Sequence, residues 1–178
     1  AGGQAAAGAE FSRTTARSML QVARQRIVAQ HGSTVERTDA NGQIRLAPDP
    51  EITGLMIAHE SGFRWLHANE LHQDIQVELS PWAAISGELT DETGAPLPGI
   101  KLNLQWHPQT PGTFAGSILP MEASVITDHA GQFKFEDVPP TQLTITEIVE
   151  VSMPPHRGWS YRPLGQILAE PGQTAAAD

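Results

Sequence analysis

The sequence has 178 residues and contains no cysteine, which excludes disulfide frameworks and cysteine-based zinc sites. Aromatic residues make up only 6% of the chain. No stretch approaches the ~20 consecutive apolar residues that span a bilayer. Basic residues are also scarce, since 11 Lys and Arg stand against 20 Asp and Glu and give a formal net charge of −9. Because nucleic-acid binding requires a basic face, we expect no nucleic-acid partner.

Sequence signatures of catalysis are missing as well. The chain has no nucleophile elbow, no phosphate-cradling glycine loop and no dinucleotide fingerprint. His59-Glu60 begins like a zinc-protease motif, but Phe63 stands where the second His is required. We therefore expect no enzyme activity and no cofactor.

The composition favours many turns and short strands. Glycine occurs 16 times and proline 14 times, while 39% of the residues are hydrophobic, which is enough for a packed core. A chain of this length makes one large domain or two modules of roughly 80–100 residues each. The sequence predicts an all-β fold of tandem antiparallel β-sandwich modules, with a short N-terminal helix or extended segment.

Two similar stretches, TDHAGQFKF at 127–135 and TDANGQIRL at 38–46, lie 89 positions apart. Each predicts a tight turn that leads into a strand, because Asp bonds the backbone two residues on and Gly adopts positive φ. A third turn follows Leu89. The predicted structural turn residues are Asp39, Gly42, Asp91, Gly94, Asp128 and Gly131. A calcium loop would need more acidic ligands and a distal Glu, so turn formation is the favoured role.

Further matches follow in the same order and predict a repeat. Leu143-Thr144-Ile145 matches Leu55-Met56-Ile57, and the stretch from Gly158 to Tyr161 matches that from Gly62 to Trp65. Clean alternation over 75–79 predicts the last strand of the first unit. We predict an N-terminal segment at 1–32, a partial or complemented module at 33–83, a complete module at 84–170 and a polar tail at 171–178. The long loops are expected at 107–121 and 149–157.

The N-terminal segment differs from the rest. Ala16, Met19 or Leu20, Ala23 and Ile27 recur at helical spacing and favour a helix over 12–30, with a strand at 19–23 as the alternative. Five basic residues here form either a solvated helix face or a docking surface for an acidic partner: Arg13, Arg17, Arg24, Arg26 and Arg37.

The first unit has no counterpart of the block from Gly87 to Leu104. Its missing edge can be supplied by residues 12–30, by upstream sequence or by a partner chain. An uncovered edge invites strand addition.

The second unit resembles the carboxypeptidase regulatory-like domain, a transthyretin-like (prealbumin-like) β-sandwich. The similarity rests on Gly87, on Asp91 with the stretch from Gly94 to Gly99, on TDHAGQF at 127–133 and on Pro139-Pro140. It covers about residues 84–169, with a partial copy before it. The resemblance implies a sandwich of about seven strands without catalytic residues, of the kind found in exported or surface proteins as a spacer, folding aid or binding element.

Two clusters are candidate ligand sites. Trp106 and His107 fall in or beside one long loop, and His156 and Trp159 in or beside the other, so together they can frame a glycan-binding surface; core or edge packing of both tryptophans is the favoured interpretation. His67, Glu70, His72 and Asp74 can form a loop metal site, although solvated loop residues are the favoured interpretation and we expect no metal.

Taken together, the sequence predicts a non-enzymatic structural or adhesive module of an extracytoplasmic protein. It would assemble with a protein partner or as a homo-oligomer, through strand edges or the N-terminal segment. The alternatives are a carbohydrate-binding module and an accessory domain of a larger exported enzyme. The chain begins with Ala and lacks a basic-then-apolar leader, so we expect a processed protein or an excised fragment.

Overall fold

The computed structural model describes residues 5–15, 20–29, 32–106, 119–153 and 156–177, and side chains except those of 119–123, 152–153 and 156–157. Within these residues the protein is all-β, which confirms the predicted fold class. The strands form sheets of four, three, four and two strands. In the described part of the chain no helix is long and apolar enough to cross a membrane.

The first four-stranded sheet has the order β4-β1-β5-β6. Its strands are β1 (Glu10–Thr15), β4 (Glu36–Arg37), β5 (Ile52–His59) and β6 (Gly62–His67). The N-terminal segment therefore supplies a central strand, β1, which pairs antiparallel with β4 on one side and β5 on the other.

A hairpin of β2 (Leu20–Ala23) and β3 (Arg26–Ala29) stands where we expected a helix, so that expectation was wrong and the extended alternative is observed. Leu20 and Val22 are buried at period two, which is the strand pattern. Both turn residues, Arg24 and Gln25, have positive φ, at 47° and 65°. Such a turn usually carries Asn-Gly, so its sequence gave no hairpin signal.

The remaining strands form a sandwich. A three-stranded sheet, β10-β7-β13, faces a four-stranded sheet, β12-β11-β8-β9. All pairs are antiparallel except β7 with β13, which is parallel. The strands are β7 (Ala83–Glu88), β8 (Lys101–Trp106), β9 (Leu119–Ile126), β10 (Gln132–Val138), β11 (Gln142–Met153), β12 (His156–Leu168) and β13 (Thr174–Ala177).

Several segment boundaries differ from the expected ones. The stretch at 149–157, expected to be a loop, continues β11 and β12, and the expected polar tail contains β13. Residues 107–118 lie outside the described residues, and β9 begins at Leu119. Residues 75–79, where a strand was expected, belong to no sheet of the described part of the chain.

One large apolar core joins the two halves of the chain. It contains Leu20, Val22 and Ile27 of the hairpin, one face of β5, and the inner faces of both sandwich sheets. The other face of β5 contributes Leu55 and Ile57 to a second, smaller cluster with Phe11 and Leu66. Since β5 is buried on both faces, it reads as a continuous apolar run.

A buried carboxylate fixes the hairpin to the first sheet. The side chain of Glu10 on β1 is 9% exposed and lies 2.6 Å from the guanidinium of Arg26 and 3.1 Å from that of Arg37. It also accepts the backbone N–H of Ile27 at 3.0 Å. Burial raises the pKa of Glu10, but these hydrogen bonds from Arg26, Ile27 and Arg37 outweigh it and bring the pKa below its ordinary value.

Arg13 lies 3.5 Å from Glu36. Three of the five N-terminal arginines, Arg13, Arg26 and Arg37, thus form internal ion pairs. These three guanidinium groups stabilise the fold by contacts within the chain, and a docking surface for an acidic partner would have to compete with them.

A threonine before the second turn organises the entry into β8. The hydroxyl of Thr127 donates to the carbonyl of Leu97 at 2.6 Å and accepts the N–H of Ile100 at 2.9 Å. Its backbone carbonyl accepts the N–H of Gly99 at 2.9 Å, and its N–H donates to Ile100 at 3.0 Å. Gly99 has a φ of +76°, a backbone conformation that residues with side chains rarely adopt.

The same arrangement occurs before β1. The hydroxyl of Thr38 donates to the carbonyl of Ala6 at 2.7 Å and accepts the N–H of Ala9 at 2.9 Å. Its carbonyl accepts the N–H of Gly8 at 3.3 Å, its N–H donates to Ala9 at 3.0 Å, and Gly8 again has φ +76°. The stretch 6–9 therefore holds the position at β1 that 97–100 holds at β8.

Candidate functional site

The longest structural feature is the hairpin of β11 and β12. The two strands pair from Gln142 with Leu168 to Met153 with His156. On its other side β11 pairs with β8 only at 144–147. Residues 148–153 thus have β12 as their paired neighbour and project beyond the rest of the sheet as a two-stranded ribbon. β9 is one of the two edge strands of this sheet in the described part of the chain, and β12 is the other.

This edge strand carries large apolar side chains in solvent. We call Trp159, Tyr161, Leu164 and Leu168 the edge patch; they are 62%, 47%, 39% and 60% exposed. Trp159 and Tyr161 are two residues apart and share a face of the strand. The ammonium of Lys101 on β8 lies 5.7 Å from the centre of the Trp159 ring. This is within cation–π range, so Lys101 helps to hold the indole in place.

Edge strands present unpaired backbone groups that other strands can join. Pro163 lies within β12 and pairs with Thr146. Proline has no N–H, so it limits ladder formation at its position and is typical of edges. Nearby, Arg162 forms an ion pair with Glu147 on β11. The stretch Gly158–Arg162 is therefore the part of the edge that combines aromatic side chains with continuous N–H donors.

A second feature is a cleft of about 360 Å³ between β6 and the start of β11. Its lining includes Phe63, Trp65 and Trp106 together with the polar side chains of Arg64, His67 and Gln142. The Trp65 and Trp106 rings meet edge to face, with centroids 5.3 Å apart. Within the described residues, the buried indole N–H of Trp65 has no hydrogen-bond partner.

The two tryptophans of the predicted glycan surface have different environments. Trp106 is 5% exposed and packs in the core against Phe63 and Trp65, whereas Trp159 is exposed on β12. His107 lies outside the described residues. His156 begins β12, and its side chain lies outside the description too. Trp106 therefore takes the core position that was the favoured interpretation for this residue.

The other histidines do not gather into a metal site within the described part of the chain, where no group of three or more potential ligands is close enough. Glu70 instead accepts the backbone N–H of His67 at 2.8 Å and lies 3.5 Å from Arg64. The ring of His72 bonds the carbonyl of Gln73 at 3.1 Å.

The three turn aspartates make one repeated set of contacts. In each turn, one carboxylate oxygen accepts the N–H groups two and four residues further on, at 2.8–3.0 Å, and the backbone carbonyl of the same Asp accepts the glycine N–H. The N–H of Gln132 bonded to Asp128 lowers the pKa of that carboxyl. The aspartates are Asp39, Asp91 and Asp128, and their turn glycines are Gly42, Gly94 and Gly131.

Trp159 was identified from the sequence as a candidate ligand-binding residue, but the rest of the edge patch and the cleft were not. The stretch from Gly158 to Tyr161 was matched to that from Gly62 to Trp65, and this match did not indicate that its side chains are exposed. The sequence around Trp65 did not indicate a cleft, because the contact of Trp65 with Trp106 depends on how β6 packs on the second half of the chain.

Comparison of the sequence with protein-family models finds no match, and comparison with curated proteins finds none. Among solved structures, the chain is similar to a streptococcal ancillary pilin, at 12% identity and a TM-score of 0.36, over 97% of this chain and 56% of that chain. It is similar to the shaft pilin SpaA from Lactobacillus rhamnosus GG at 12% identity and a TM-score of 0.31, over 97% of this chain and 88% of that one. The chain thus spans little more than half of the first pilin. At these values the likeness assigns neither a family nor a function.

Proposed function

We propose that the chain is a non-enzymatic structural module of an exported or cell-surface protein and assembles with further copies through β12. The observation that carries this proposal is the edge patch. Four large apolar side chains on a long edge strand are 39–62% exposed. An exposed, long and hydrophobic edge is the structural pattern of a strand-pairing surface.

Strand pairing explains what the edge patch would do. A second strand laid along Gly158–Arg162 gains main-chain hydrogen bonds, and the side chains of Trp159 and Tyr161 pack against those of its neighbour. Aromatic side chains on a projecting ribbon bury much area with few rotatable bonds. Lys101 lowers the entropy cost of ordering the Trp159 side chain, because its contact already orients the ring.

The proposed organisation is two tandem transthyretin-like modules with a junction near Pro81-Trp82. The matching contacts of Thr38 and Thr127, and the matching strand orders of the two four-stranded sheets, support this division. Because the core is shared, the two modules would pack tightly against each other and would not move independently. Carboxypeptidase regulatory-like modules of exported proteins are the proposed family.

Multi-angle light scattering after size exclusion, over a wide concentration range, tests the assembly. We expect the chain to self-associate and Trp159→Thr/Tyr161→Thr to shift it to monomer, since Thr keeps strand propensity but removes the apolar area. Ile126→Thr is the matched control, because Ile126 is also exposed, at 65%, but lies on β9. A chain that stays monomeric at every concentration overturns the proposal.

A second candidate function is glycan binding in the cleft. The observation that favours it is the combination of aromatic rings with the polar groups of Arg64, His67 and Gln142 around one opening. Oligosaccharides should then change tryptophan fluorescence in the wild type and in Trp159→Thr, but not in Arg64→Ala. No change in the wild type with a panel of neutral and acidic oligosaccharides rejects this candidate.

A further inference from the structure

Each half of the chain contains one four-stranded sheet. The sheet β4-β1-β5-β6 has the same order as β9-β8-β11-β12 when β1 is matched to β8, as the two threonine arrangements require. β4 ends directly before Thr38, and β9 ends directly before Thr127. β5 and β6 then correspond to β11 and β12, which form the following hairpin in each half.

The second sheet of the sandwich has only two of its three strands represented in the first half. β10 follows the Asp128 turn, and residues 43–49 follow the Asp39 turn in the same way. β13 follows β12 after a short connection, and residues 71–79 follow β6 likewise. β7, which lies between β10 and β13, has no counterpart among the described residues.

The two flanking segments have unpaired backbones. Among the described residues, the N–H and C=O groups of 44–48 and 75–79 make no backbone hydrogen bonds to one another or to any other segment. The backbone polar groups of both segments would be paired if a strand lay between them.

The apolar side chains of the flanking segments pack against the same small cluster and remain half-buried. Ile44 and Leu46 face the small cluster around Phe11 and Leu55 but remain half-buried. Phe133 and Phe135 follow the equivalent turn on β10, pair with β7, and are 9% and 1% exposed. Ile75, Val77 and Leu79 also alternate toward the small cluster and remain half-buried.

We propose that a β-strand supplied by the polypeptide directly preceding residue 1 in the intact protein inserts between 43–48 and 75–79. By analogy with β7, it runs antiparallel to the first segment and parallel to the second. This inference rests on the tandem organisation proposed above and names what completes the first module. The inserted strand would stabilise the module by pairing the backbone groups of both segments and by burying apolar side chains that are now partly exposed to water.

The length of the connection supports this source of the strand. Twelve residues, 89–100, separate the end of β7 from the start of β8, whereas nine residues precede β1 at Glu10. Since residues 6–9 enter β1 along the path that 97–100 take into β8, a connection of equal length begins three residues upstream of Ala1. A strand from the preceding polypeptide needs no second molecule to arrive there.

β7 also defines the chemistry of the occupant. Its inward positions are Ala83, Ile85 and Gly87, of which the first two are 4% and 0% exposed. A side chain at Gly87 would lie 2.4 Å from the carbonyl of Ala177 and 2.7 Å from the Phe133 ring. The inserted strand therefore has a small residue, a branched aliphatic residue and a small residue at alternating positions.

The experiment fuses a copy of residues 83–91 to Ala1, because three added residues and the existing nine restore a twelve-residue connection. We expect amide exchange at 44–48 and 75–79 to slow by at least about tenfold. The melting temperature should rise, and the fusion should keep the oligomeric state of the unextended chain. In the matched control, Asp replaces the copied Ile85, and neither change should occur.

Unchanged exchange in the fusion overturns the inference. So does protection that appears only together with a new dimer, because the strand then comes from a second molecule. Failure of the proposed function is a separate result, since it appears in the unextended chain as the lack of Trp159-dependent association.

Discussion

Thr127 makes with the segment before β8 the same main-chain contacts that Thr38 makes with the segment before β1. Each threonine thus joins a turn to the start of a central strand that lies far away in sequence. Thr127 is buried, at 3% exposure, while Thr38 is half-buried. The same set of contacts is therefore more deeply buried at Thr127 than at Thr38.

Replacing the hydroxyl of Thr127 should be costly. Thr127→Val leaves the Leu97 carbonyl and the Ile100 N–H without this partner, and we expect the free energy of unfolding to fall by about 1–3 kcal/mol. Thr38→Val should cost less because water reaches the unpaired groups. Thr127→Ser, which retains the hydroxyl, is the control. Urea unfolding measures these differences, and equal losses for Val and Ser would contradict the role of the hydroxyl.

Glu10 should make stability depend on pH. Its pKa in the folded protein lies below the unfolded value of about 4.3, so its contribution is complete above that value and is lost as the pH falls through the folded pKa. Glu10→Gln should therefore destabilise the protein at neutral pH, by about 1.5–3 kcal/mol for hydrogen bonds to a charged group. In acid the difference from wild type should shrink.

Melting temperatures between neutral pH and pH values below the unfolded pKa test this. Glu36→Gln is the matched control, because the side chain of Glu36 is 51% exposed and lies 3.5 Å from Arg13. Exposed pairs contribute about 0–1 kcal/mol. A pH-independent difference between Glu10→Gln and wild type would show that the charge of Glu10 is not what stabilises the hairpin.

The N-terminal hairpin should unfold together with the second half of the chain. Leu20 is 1% exposed and belongs to the same core as Ile85 and Phe135. Leu20→Ala should cost about 2–5 kcal/mol and shift a single cooperative transition. Calorimetry should show one transition in both proteins, and Ile126→Ala, at an exposed site, should change little. Two transitions, with only the first shifted by Leu20→Ala, would mean that the halves unfold separately.

Gly54 should not tolerate a side chain. A Cβ at Gly54 would lie 2.7 Å from the carbonyl of Leu66 and 2.7 Å from the Trp65 ring. Gly54→Ala should therefore displace the indole, reduce stability by about 1–3 kcal/mol and alter tryptophan fluorescence. Gly158→Ala is the control, because nothing lies within 4 Å of the corresponding Cβ. Similar stability for both variants would contradict the packing of Trp65 on β5.

Much of the second half was predictable because its signals are local. Asp128 with Gly131, and Asp91 with Gly94, specify turns through contacts within five residues, and the alternating strands that follow them expose one face. The register between the halves was not predictable. Arg13 on β1 pairs with Leu55, and Leu104 on β8 pairs with Ile145. In the proposed tandem organisation Leu55 therefore corresponds to Ile145, two residues from the match with Leu143. A shift of two preserves the inward pattern, which is why sequence did not detect it.

The candidate site depended more on tertiary structure. Trp159 stood out in the sequence, but its exposure follows from the length of β12 and from the limited pairing of β11 with β8. Trp106 looked similar, and packing with Trp65 and Phe63 buried it. Burial of an aromatic residue is set by which surfaces meet, and those surfaces come from opposite halves of the chain.

The sequence by itself determined the all-β class and the positions of the aspartate turns. Only the tertiary structure decided that residues 10–15 form a central strand, that 20–29 form a hairpin and that 174–177 close the sandwich. The physical reason is the range of the interactions. A turn is specified by the few residues that form it, whereas these three segments have weak local preferences and obtain their structure from distant partners: β5 for the first, the shared core for the second and β7 for the third.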